Sequence, residues 1–181
     1  KNNIFYRDLS HEISINSALM RSFDSSFGNR IEDIAKKVAE NVGKFKVSTG
    51  VSGTLSTETI NQIATILDGY KNKKQVSLGD LLKIQKSVEN SSGGKKSHNS
   101  DYLLEKIDKK GVTNFTLVEL KIGGDLDNKK ARSEKAAILE QYAMLYSANQ
   151  DKVKKGKVKI KIYFATAYNK DSYDSGKESW N

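Results

Sequence analysis

The chain has 181 residues, 36% hydrophobic and 29% charged, enough apolar material for one folded domain of ordinary size. It contains no cysteine, which excludes a disulfide framework, a thiolate zinc site and a cysteine nucleophile, and leaves a reducing cytoplasm as the expected compartment. Its 31 basic and 22 acidic residues give a net charge of +9, so a polyanion is the natural partner, with a lysine-rich solvated surface as the plainer alternative.

No run approaches the roughly 18 apolar residues that cross a bilayer, and the N-terminus lacks a signal-peptide core. No membrane association is therefore expected. A first residue other than Met is what a fragment or trimmed chain would show.

Residues 1–96 read as mainly helical. Asn29 can cap a helix running to about Asn41, where Ile31, Ile34, Ala35, Val38 and Val42 recur at helical spacing and Gly43 follows as a stop. Asp33 and Glu40 point away from this stripe, whereas Glu32 lies on its border and is the one acid there able to look into an interior cleft. Further helices are predicted after Ser56 and over Leu78 to Val88. The stretch from Asn90 to Lys96 is a flexible loop by composition.

Beyond residue 100 the pattern becomes mixed. Asp101 to Ile107 is strand-like, Asp108 to Gly111 is a turn, and Val112 to Ile122 is a strand rich in β-branched and aromatic residues. A loop follows, then a helix from Lys129 to Tyr146 and a strand from Val158 to Tyr168. Residues 169–181 are a polar tail. The order of helix, strand, strand, helix, strand predicts a mixed sheet.

The hairpin carries the chemistry. With its turn centred near Lys110, symmetric pairing sets Asp101 opposite Glu119, with side chains roughly 5 Å apart. Two facing carboxylates repel unless a cation lies between them, and hard oxygen donors suit Mg²⁺. Glu119 and Lys121 share one face with Phe115 and Leu117, while Val118, Leu120 and Ile122 occupy the other. Charges inside such an apolar strand need partners. The alternative at this point is a buried ion pair between Glu119 and Lys121 beside a surface Asp101.

Other signals fail. Gly94, Lys95, Lys96 and Ser97 have the wrong order for a phosphate-binding loop, and Asp125 to Lys129 lacks the ligands and glycine of a calcium loop. His11 and His98 have no nucleophile-elbow motif to accompany them. A lysine-rich helix start at Lys129, Lys130, Arg132 and Lys135 has the wrong sign for the positive end of a helix dipole unless an anion compensates. A DNA phosphate is the candidate anion, against a solvated lysine-rich turn.

Ser100 and Asp101, followed by Glu119, Leu120 and Lys121, resemble the PD-(D/E)xK nuclease motif common among type II restriction endonucleases, with serine in the proline position. The resemblance covers residues 97–168, and the helix beginning near Gly28 is similar to the helix that precedes the family core. Arg21 to Glu40 and Leu117 to Leu145 are also similar to a group of bacterial restriction enzymes. The implied fold is α/β: a restriction-endonuclease-like core with a mixed β-sheet flanked by helices and a helical N-terminal half, all within a single nuclease domain, 1–181.

The resemblance also implies roles. Asp101, Glu119, the carbonyl of Leu120 and the helix carboxylate Glu32 would hold Mg²⁺. Lys121 would orient the attacking water and stabilise charge, because two neighbouring carboxylates oppose the fall in pKa that a lysine base requires. Glu134 and Gln141 share the face of Ile138 and Leu145 and are candidates to support the site from behind. The implied protein is a cytoplasmic bacterial enzyme, a magnesium-dependent homodimer cutting double-stranded DNA at a specific sequence. A repair or junction-resolving nuclease and a non-catalytic DNA-binding module remain the alternatives.

Overall fold

The computed structural model describes residues 11–71, 77–89, 94–98, 102–121 and 128–166. In chain order the elements are α1 (His11–Asn41), β1 (Lys46–Ser48), β2 (Val51–Leu55), α2 (Thr57–Lys71), α3 (Leu78–Glu89), β3 (Gly94–His98), β4 (Tyr102–Ile107), β5 (Thr113–Lys121), α4 (Asn128–Lys154) and β6 (Val158–Thr166).

The turn between β4 and β5 sets the register of the hairpin. The Asp108 carboxylate accepts the backbone N–H groups of Lys110 (2.8 Å) and Val112 (3.0 Å). Those two bonds hold its pKa below the usual aspartate range, the Val112 bond foremost. Gly111 completes the turn at φ 75°, a left-handed conformation that favours glycine. The strands then pair antiparallel from Ile107 opposite Thr113 to Tyr102 opposite Val118. This register is centred on residue 110, as symmetric pairing predicts.

β6 lies parallel to β5, from Thr113 beside Val158 to Lys121 beside Thr166. β1 pairs antiparallel with the far edge of β4, giving the order β1-β4-β5-β6. The predicted mixed sheet is therefore present, with β5 inside it, where a strand apolar on both faces belongs. Its odd-numbered side chains join the main core: Leu117 is fully buried among Ile138, Tyr142 and Met144 of α4 and Ile63 and Ile84 of α2 and α3. Tyr102, across from Val118, reaches α1 on the other face.

α2 begins after Ser56, as the sequence predicts, and Ser56 caps it, its Oγ accepting the N–H of Thr59 at 3.0 Å. Other boundaries differ. α1 begins at His11, so Asn29 sits inside it; the apolar spacing of Met20, Phe23 and Phe27 carries the helix through the predicted cap. Ile34, Val38 and Val42, which read as a packing stripe, are 61%, 53% and 77% exposed. α1 instead turns its small residues Gly28, Ala35 and Ala39 inward.

Residues 94–96, which read as part of a flexible loop, belong to β3, paired antiparallel with β2. A ladder satisfies backbone groups whatever side chains they carry, and composition alone hid this one. β1 and β2 also went unpredicted, so strands come from both halves of the chain. β2 presses closely on α4: a Cβ at Gly53 would lie 2.9 Å from the Met144 Cβ. α4 itself continues beyond Tyr146 to Lys154 across a kink at Asn149.

Candidate active site

Glu119 is the best placed of the predicted site residues. It is only 5% exposed and follows Val118, the partner of the first residue of β4. Strand alternation puts it on the face of Leu117. Its neighbour on β6 is Phe164. Asp101, its expected partner, lies outside the described residues, as does the side chain of Lys121, the last residue of β5. Leu120 pairs with Ala165 and alternates onto the face of Val118.

Glu32 is half-buried on α1. Its backbone carbonyl accepts the hydroxyl of Tyr102 at 2.6 Å, which ties this turn of α1 to the first residue of β4. Tyr102 and Glu119 both stand at the end of the hairpin away from its turn. The structure thus brings Glu32 and Glu119 to one end of the sheet, from opposite faces. Among the described residues no three His, Cys, Asp or Glu side chains form a group able to hold a metal.

α4 begins beyond that same end of β5. The side chains of Lys129 and Lys130 lie outside the described ones. Arg132 is turned onto α2, its Nη2 2.8 Å from Asp68 Oδ1 in a pair exposed on both sides. The Lys135 Nζ lies 5.9 Å from the centre of the Tyr70 ring. Burial lowers its pKa to about 8, because desolvation disfavours the ammonium. Glu134 is half-buried and Gln141 fully buried in the body of α4.

Two features escaped sequence reasoning. The Tyr102 tie to Glu32 spans 70 positions, and no local pattern announces it. Asp80, 1% exposed, gathers the Tyr70 hydroxyl at 3.3 Å, the Ser77 hydroxyl at 3.2 Å and N–H at 3.3 Å, and the Lys83 ammonium at 3.6 Å. Burial and this carboxylate push the Tyr70 hydroxyl well above its ordinary pKa. Here a signal did exist: Ser77, Leu78, Gly79, Asp80 has the spacing of a capping box at the start of α3.

No helix among the described residues is long and apolar enough to cross a membrane. Compared with known protein families, the chain matches that of the type II restriction endonuclease HinfI over residues 1–179. No curated protein and no solved structure matches it.

Proposed function

Because the chain belongs to the HinfI family of type II restriction endonucleases, we propose a magnesium-dependent mechanism for its cleavage of double-stranded DNA, built on the open end of the β4–β5 hairpin. Members of this class are site-specific deoxyribonucleases and generally use a divalent metal. The observation that carries the reading is Glu119, a carboxylate 5% exposed at the end of an apolar strand. The hairpin register supports it, since one further step beyond Tyr102 and Val118 would set Asp101 against Glu119.

The donors Asp101, Glu119 and the Leu120 carbonyl would all offer the oxygen that a hard cation takes, and Glu32 would have to reach them around the open end of the sheet from its opposite face. A bound Mg²⁺ would polarise the scissile phosphate and acidify a water. Lys121, two residues along the strand from Glu119, would orient that water and stabilise the charge growing on the phosphate. The hydroxyl of Tyr102 positions the Glu32 turn. Glu134 and Gln141 would support the site from α4.

The start of α4 would receive the DNA backbone through Lys129, Lys130, Arg132 and Lys135. The exposed pair of Arg132 with Asp68 is worth little in water, so exchanging Asp68 for a phosphate costs little. The enzyme would act as a homodimer in the bacterial cytoplasm, one site for each strand.

Plasmid digestion with magnesium, followed by sequencing of the fragment ends, tests the reading. Discrete cut positions are expected. Glu119→Gln and Lys121→Ala should each lower cutting by about a thousand-fold, the scale of losing a group that stabilises transition-state charge, while DNA binding in calcium persists. Unaltered cutting by either variant would overturn the assignment.

A further inference from the structure

α1 spends its small residues on its own sheet and leaves its large ones outside. Of the half-buried positions, Ser17, Gly28, Ile31, Glu32, Ala35 and Ala39 fall along one side at 100° per residue, with Glu40 off that line. Around from them runs a second stripe of Met20, Phe23, Phe27, Ile34 and Val38, which are 49–64% exposed, with Leu19 at its border. Phe23 and Phe27 stack, with centroids 6.2 Å apart and rings 4° from parallel. The apolar arc is thus wider than the face its own sheet covers.

We propose that this outward stripe of α1 is the surface on which two copies of the chain pair. The proposal deepens the homodimer reading by naming its interface. With their exposures weighted by residue size, the stripe and Leu19 expose roughly 700 Å² as whole residues, against about 800 Å² per partner in a standard stable interface and 300–600 Å² for the largest patch on a typical monomer. A duplex offers a charged phosphate surface, a poor match to such a stripe. A second copy offers an identical apolar one, and a self-complementary patch is what a two-fold interface requires.

Sedimentation of the intact protein should give a dimer, and Phe27→Asp and Phe23→Ser should each weaken it at least a hundred-fold with circular dichroism unchanged. Because the chain has no cysteine, a single Phe27→Cys or Ile34→Cys reports directly: oxidation should yield a disulfide-linked pair from at least one of them. Lys36→Cys, half a turn around α1, should give none. A monomeric parent protein, a dimer that ignores both Phe substitutions, or cross-linking equal at Lys36 would overturn this interface. The catalytic reading is scored separately by Glu119→Gln, so a wrong surface and a wrong active site give different results.

Discussion

The two long helices of this protein meet opposite fates. In α4 every residue from Ile138 to Tyr146 is buried, including Glu140 and Gln141. In α1, the longer helix, no described side chain is buried. The difference comes from where each falls in the chain. α4 links two parallel neighbours, β5 and β6, so it must run back along the sheet, and β2, α2 and α3 close over its outer side. α1 precedes every strand and touches the sheet mainly at β1 and Tyr102. Amphipathic spacing marks the face a helix is able to bury; the connections decide whether anything covers it.

The largest expected effect follows from that contrast. Tyr146, 2% exposed, packs in the core and its hydroxyl donates to Glu89 at 2.5 Å. Tyr146→Ala should cost about 3–5 kcal/mol in urea unfolding, as large aromatic truncations do. Phe23→Ala, at 64% exposure, should change the stability of a single chain by less than about 0.5 kcal/mol. It should instead lower the melting temperature below the parent's at concentrations where the parent is dimeric, and flatten its dependence on dilution, because subunit association stabilises by mass action. Equal costs at the two positions would erase the distinction between the helices.

The contact of β2 with α4 gives the next effect. Gly53→Ala places its new methyl 2.9 Å from the Met144 Cβ, and overpacking of this kind costs about 1–3 kcal/mol. A neutral result would mean that the two-stranded sheet is free to lift from α4. Smaller still is Arg132→Ala, whose exposed pair with Asp68 is worth at most about 1 kcal/mol. Its signature belongs in DNA binding: affinity should fall for all sequences alike, and the salt slope should drop by about one.

The same contrast explains how much the sequence disclosed. The β4–β5 hairpin was legible because Asp108 and Gly111 fix its register locally, and α2 because Ser56 caps it. Glu119 stood out as an acid in an apolar strand, and its burial bears that reading of the strand out. The pairing of Gly94–His98 with Val51–Leu55 was not legible, since the residues lie far apart and the lysine-rich, glycine-led strand resembles a loop. Nor was the outward turn of Ile34 and Val38, because periodicity does not distinguish a stripe facing the core from one facing a partner.

A last effect concerns the start of α4, where burial begins. Burial lowers the pKa of Lys135 from 10.5 to about 8, so between those values the folded chain binds fewer protons at this site than the unfolded chain. Stability contributed there must rise with pH across that window, and below pH 8 the buried ammonium carries a constant penalty. Lys135→Met removes both terms. Urea unfolding at pH 7 should find the variant more stable than the parent, with the gap closing as pH climbs towards 10. A gap independent of pH would mean that the ammonium over Tyr70 remains fully hydrated, which would extend the solvated character of Arg132 one turn further into α4.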